Sequence, residues 1–207
     1  FADACLFKTV DAVSNAIDDI GTVNPGSGAA IQLASQAYNL LDALDKENVT
    51  NSSNITAAQA TFETYCPEVY GAQIRATGAQ GLRFGTRFDT TASELTGYSI
   101  KQYGTVLISR AKWEAAESGE LVTGMTGSVS RYGTLLDQES GIIEYGVTLI
   151  NIPETEYSHD VFSRSFIIYE NDTTDELFTL YNTTGTDEDA SLAFVCNIQE
   201  IIDNINK

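Results

Sequence analysis

Apolar side chains recur every three or four positions over residues 3–20, where Leu6, Val10, Val13, Ile17 and Ile20 make one stripe, the period of an amphipathic helix. Gly21 stops it, and Asn24-Pro25-Gly26 is a turn cluster. A second stripe, Ile31, Ala34, Tyr38, Leu41 and Leu44, predicts a helix from about Ser27. The polar run Asp45–Asn54 reads as a loop. Thr56 with Gln59 three residues on has the form of a capping box and predicts a third helix through Phe62 and Tyr65, closed by Pro67. Three short amphipathic helices joined by brief turns predict a small antiparallel bundle over residues 1–68.

The period changes after Tyr70. Ile74-Arg75-Ala76 and Leu82–Phe88 alternate apolar with polar or charged residues, as half-buried strands do. Gln102–Ile108, Ile142–Ile150, Ser163–Tyr169 and Leu177–Tyr181 are further strands, separated by clusters of Gly, Asn, Asp and Thr, with one short helical stretch near Ala111–Glu117. Strands at this spacing predict an antiparallel Ig-like β-sandwich over residues 72–207. The last segment returns to a helical period. Asp187, Glu188 and Asp189 favour a helix N-terminus, and Leu192, Val195, Ile198, Ile202 and Ile205 follow as a stripe. The expected fold class is therefore α+β, mostly β: a three-helix bundle, a sandwich and a C-terminal helix. The junction Pro67–Gly71 is too short to act as a long flexible tether.

Charge narrows the partners. Eleven Lys and Arg against twenty-nine Asp and Glu leave a net −18 over 207 residues. A chain this acidic repels phosphate backbones and anionic lipid, so neither nucleic acid nor a membrane is an expected partner. No stretch has the length and purity of a membrane-spanning helix. No basic-then-apolar leader is present, and the chain opens in mid-helix, as a processed end or an excised module would. Charged residues are only 19% of the chain, so Thr, Ser, Asn and Gly carry much of the polar surface, a balance suited to secreted β-rich proteins. Cys5, Cys66 and Cys196 are too few and too scattered for a disulfide scaffold or a zinc site, and three buried reduced thiols are expected.

The helical half, with Ala16–Val23, Ala30-Ile31, Ala37-Tyr38, Val49-Thr50-Asn51 and Thr56-Ala57-Ala58, resembles the FIVAR-like repeats of large secreted proteins from Gram-positive bacteria. It departs from them in an Asn/Ser-rich second loop. Residues 76–195 resemble a β-sandwich module of surface proteins from gut clostridia and ruminococci, through Gly81–Phe84, Tyr103–Ile108, Leu149–Glu154 and Phe162–Tyr169 with Arg164. These resemblances imply a secreted or cell-surface setting and a spacer, display or binding role. They identify no ligand.

Chemical signals are sparse. His159 is the single histidine, within Ser158-His159-Asp160, but adjacent side chains on an extended backbone point apart, and it reads as a loop residue. No nucleophile elbow, phosphate-cradling glycine loop or metal-binding histidine motif occurs, so no cofactor, metal or catalytic residue is expected. Among so many acids, spacing singles out no carboxylate pair, and Glu114, Glu117 and Glu120 read as a solvated face. Asn171–Glu176 has the oxygens a calcium ion wants, yet a hairpin turn has the same composition for conformational reasons. Trp113, Tyr98 and Tyr132 are the side chains most suited to stack on a sugar, with Trp113 capping the core as the competing role. Arg83, Arg87 and Arg164 are expected to be partly buried and ion-paired. Five Asn-x-Ser/Thr sequons, at Asn48, Asn51, Asn54, Asn171 and Asn182, read as glycan acceptors in a eukaryotic secretory protein and as accidents of composition in a bacterial one.

The function expected is that of a non-catalytic structural or adhesive spacer-and-display module of a multimodular extracellular or cell-surface protein. Polysaccharide or neighbouring protein modules are its expected partners. Carbohydrate binding through the aromatics, or self-assembly into a surface filament or layer, are the alternatives.

Overall fold

The computed structural model describes residues 9–78, 81–91, 95–116, 120–185 and 193–206. Cys5, Leu6, Glu117, Asp187, Glu188, Asp189 and Leu192 lie outside them. The chain is an α+β protein, mostly β, with six α-helices and two antiparallel sheets among the described residues. It divides into two compact units, Phe1–Tyr65 and Cys66–Lys207.

The first unit is helical. Helix α1 (Val10–Asp18) starts where the Thr9 hydroxyl accepts a hydrogen bond from the Ala12 amide at 3.2 Å, satisfying one of the orphan amides of the first turn. After Gly21 (φ +60°) the Asn24 side chain accepts from Gly26 N at 2.8 Å and the Ser27 hydroxyl accepts from Asn24 N, which fixes the turn into α2 (Gly28–Asn39). The small side chains Ala34, Ala37 and Ala58 pack among Val13, Ile17, Ile31, Val49 and Ile55 in one core. Two details differ from the pattern-based expectation. The segment predicted as loop contains α3 (Ala43–Glu47), begun by the Asp42 carboxylate, which accepts from Asp45 N. A helix of five residues is too short to show a period, and Leu44 within it is 74% exposed rather than on a buried face. Helix α4 (Ser53–Glu63) begins before Thr56, so that residue is interior to the helix and no cap.

The second unit holds nine strands: β1 (Glu68–Arg75), β2 (Gly81–Asp89), β3 (Tyr98–Ser109), β4 (Val129–Tyr132), β5 (Thr134–Glu139), β6 (Ile142–Ile150), β7 (Val161–Asn171), β8 (Leu177–Tyr181) and β9 (Phe194–Cys196). One sheet has the order β1-β2-β6-β5; the other runs β4-β3-β7-β8, with β9 on β7 beyond β8. Leu82, Phe84 and Val147 of the first sheet pack with Leu107 of the second. Buried polar groups join the sheets as well: the Tyr145 hydroxyl donates to the carbonyls of Gly104 (3.1 Å) and Phe166 (3.2 Å), and the Thr86 and Ser165 hydroxyls bond to each other. Burial pushes the Tyr145 phenol well above its ordinary range.

Strand β7 meets β8 over Phe166–Glu170 and β9 over Val161–Ser163, leaving Ser165 between them. Asn182 fills that gap. Its side-chain oxygen accepts from Ser165 N at 2.7 Å and its own amide donates to Ser165 O at 3.0 Å. The apolar stripe near the end divides. Val195 belongs to β9, and helix α6 (Ile198–Ile205) starts only after Asn197, whose side chain accepts from Glu200 N. The helix expected near Ala111 is α5 (Arg110–Ala115).

Candidate functional site

Strand β4 lies beside β3 from Leu107 to Gly104; the chain then crosses at Gly133 to the other sheet and continues as β5. The crossing is tight, since a Cβ at Gly133 would sit 2.2 Å from Tyr145 Cδ2. Strand β5 pairs with β6 only from Ile142 to Gly146. Val147–Ile150 are therefore held by β2 on one side and by no strand among the described residues on the other.

A cleft of about 570 Å³ opens beside this unpaired edge. Leu107, Val129 and Leu149 are among its apolar walls, and Arg75, Arg83 and Arg131 line it with them. A second cleft of about 170 Å³ shares those three apolar walls and reaches Lys112. Among the described residues no carboxylate lines either cleft, in a chain where acids outnumber bases by twenty-nine to eleven.

Bonding sets these arginines apart from the other three. Arg75 donates to Thr77 O and Arg131 to Ser130 O, and none of the three is ion-paired among the described residues. By contrast Arg87 meets Glu68 at 2.9 Å, Lys101 meets Glu170 at 2.7 Å and Arg110 meets Asp160 at 3.0 Å. Arg164, 5% exposed, reaches Glu120 at 3.1 Å and lies over the Tyr181 ring. Thus Arg164 is buried and paired as expected, Arg87 is paired but exposed, and Arg83 faces the cleft instead. Unpaired guanidinium groups beside an apolar floor are suited to holding carboxylate, sulfate or phosphate groups, because the planar fork donates two parallel hydrogen bonds.

The three aromatics singled out from sequence are not gathered at one place. Tyr132, 63% exposed, lines the cleft. Trp113 on α5 packs edge-on against Phe162 with ring centroids 5.4 Å apart, and its indole N–H is buried with no acceptor among the described residues. Tyr98 sits at the far end of β3, against Phe178 at 5.9 Å. With Tyr98 opposite Asn171 and Ser109 opposite Val161, the length of β3 separates Tyr98 from Trp113, roughly 36 Å at the rise of a strand.

The remaining signals resolve locally. His159 Nδ1 lies 2.8 Å from Glu156, while the Asp160 carboxylate is engaged by Arg110 and Asn197. The side chain of Asn171 accepts from the amides of Thr173 and Thr174, closing the β7–β8 turn, in which Asp175 has φ +57°. Among the described residues no group of three His, Cys, Asp or Glu is placed to hold a metal ion. Cys196 is buried and its thiol is pushed up to about 12 by burial first, then by Glu200 and Asp160; Cys66 is half-buried rather than buried. Of the sequons, Asn182 is wholly inaccessible and its amide donates to Thr184 O at 2.7 Å.

By fold, then, this is an α+β protein whose larger unit is made of two antiparallel sheets. No family model matches the chain, and no curated protein matches it. No helix among the described residues is long and apolar enough to cross a membrane.

Proposed function

We propose that this chain is a non-catalytic adhesive module of a secreted or cell-surface multimodular protein, in which the helical unit is a FIVAR-like spacer and the β unit holds an anionic macromolecule in its arginine-lined cleft. The observation that carries this reading is the cleft itself: Arg75, Arg83 and Arg131 without carboxylate partners among the described residues of a chain of net charge −18. Three guanidinium groups unpaired among the described residues of so acidic a protein are best accounted for by a ligand that supplies the acids. The polar side chains around them are threonine hydroxyls and the Tyr132 phenol, groups that bind and orient. The strand order supports a display role. Order β1-β2-β6-β5 corresponds to A-B-E-D of an immunoglobulin-like sandwich, and β4-β3-β7-β8 to C′-C-F-G, a scaffold used widely for extracellular recognition. Tyr132, exposed beside Arg131, adds an aromatic face to the same cleft.

The test is retention on immobilised polygalacturonate, polyglutamate and neutral cellulose at rising ionic strength. Wild type is expected to stay on at least one acidic polymer and to be displaced by salt. The variant Arg83→Glu/Arg131→Glu is expected to lose roughly a hundredfold in affinity, at about tenfold for each charged hydrogen-bonding group removed. Equal retention of the variant, or no retention of wild type on either acidic polymer, overturns the reading. Release of soluble fragments from the polymers overturns its non-catalytic part.

A further inference from the structure

We propose that the natural occupant of the cleft is an extended acidic polypeptide segment, which adds as a strand to the free edge of β6 at Val147–Ile150. This rests on the reading of the cleft as the binding site, and it names the ligand's class.

In an antiparallel sheet each strand turns its N–H and C=O groups alternately to the two neighbours. Strand β6 has β2 along its whole length, from Asp89↔Ile142 to Gly81↔Ile150, but β5 only as far as Gly146. Because β5 departs through Gly133 into the other sheet, the lane beside Val147–Ile150 is vacant among the described residues while the edge beside it stays in register. Four residues at strand rise make roughly 13 Å, room for four or five residues of added strand. Such a row of backbone groups is a template for chain pairing, and β-augmentation uses it for affinity while side-chain pockets set specificity.

The walls of the lane then state what the added strand must carry. Arg83 pairs with Thr148 and so shares its face of the sheet; Leu82 and Leu149 lie on the opposite face, in the core. Arg75 pairs with Gly81, on the same face as Arg83. From the other sheet, Val129 pairs with Leu107, which packs on Leu82 and Val147, and Arg131 with Thr105, whose hydroxyl meets Ser165 beside Thr86 of the first sheet, so the two β4 side chains face the lane from within. An added strand alternates its side chains between the two faces. One set meets Arg83, and the other meets Val129 and Leu149, ending at Arg131. The complementary sequence alternates acidic with apolar residues. A sugar polymer has no two-residue alternation to match these walls.

The experiment uses the full chain and a displayed library of random peptides about twelve residues long, with oligogalacturonate as a parallel non-peptide anion. Selected peptides are expected to alternate Asp or Glu with apolar residues and to weaken by about tenfold or more against Arg83→Glu, the cost of one charge-assisted contact. Their binding is expected to slow amide hydrogen exchange at Val147–Ile150 by a similar factor without altering Ile143–Gly146, and alternate backbone N-methylation is expected to abolish it. The inference is overturned if no selected peptide depends on Arg83, or if exchange at Val147–Ile150 is unchanged when one binds. Binding of oligogalacturonate with no such peptide overturns the strand but leaves the anionic-ligand reading standing. Binding of neither overturns both.

Discussion

Removing the side chain of Asn182 should destabilise the β unit. Asn182 is 0% exposed and completes the ladder at Ser165, where β8 has ended and β9 has not begun. In Asn182→Ala the amide of Ser165, which now donates to Asn182 Oδ1 at 2.7 Å, is left buried with no acceptor. That costs about 1–3 kcal/mol, and the space vacated by the carboxamide adds roughly another 1 kcal/mol. Thr184 O loses a donor too, but Thr184 is exposed and water replaces it. A total near 2–4 kcal/mol, spread over the unfolding entropy of a unit of about 140 residues, corresponds to a Tm lower by roughly 7–13 °C. Trp113 is the sole tryptophan and packs in the core of this unit, so its fluorescence follows the transition directly. Asn182→Asp should also destabilise, because a buried carboxylate still accepts from Ser165 but no longer donates to Thr184, and the loss should shrink as the pH falls and the carboxyl is protonated. A Tm change below about 2 °C for Asn182→Ala would mean that the Ser165 amide finds another partner, and the ladder-completing role would be wrong.

Tyr145→Phe keeps the ring against Tyr103 and Phe88 but removes the donor to Gly104 and Phe166, and a loss of about 1–2 kcal/mol in urea unfolding is expected; a neutral result would show that the phenol contributes only packing. Gly133→Ala should cost about 1–3 kcal/mol by the same assay, because its Cβ would meet the buried Tyr145 ring at the point where the chain changes sheets; an unchanged midpoint would show that the crossing relaxes freely. The Cys196 thiol is raised from about 9 to about 12, so its contribution is fully present below the unfolded value and is lost as pH rises through the folded one. Melting between pH 8 and 11 should therefore show a decline that is shallower in Cys196→Ala, and equal slopes would remove Cys196 as its source.

Strands whose two faces meet different surroundings were readable from the chain alone. Ile142–Ile150 and Leu177–Tyr181 coincide with β6 and β8, and Gln102–Ile108 and Ser163–Tyr169 lie within β3 and β7. Strands β4 and β5 were not readable, because β5 is exposed throughout and β4 nearly so, and an edge strand without a buried face has no alternation to detect. Strand β9 was hidden inside an apparent helical stripe, since three residues cannot display a period and Val195 happens to fall at helical spacing from Ile198. The helix α3 escaped notice for the same reason of length.

The sequence by itself determined the change of period near residue 70, the α+β class and the apolar positions of the larger elements, all of which are local properties of side-chain spacing. It also determined that the chain is strongly acidic, which makes any unpaired cluster of cations informative. Only the tertiary structure decided that Trp113 lies against Phe162 while Tyr132 lines the cleft, and that Arg75 and Arg83 share that cleft with Arg131. The reason is physical. Local spacing fixes which face a residue takes, but a site made by two sheets depends on where the chain crosses between them, here at Gly133, and on which length of β6 that crossing leaves uncovered.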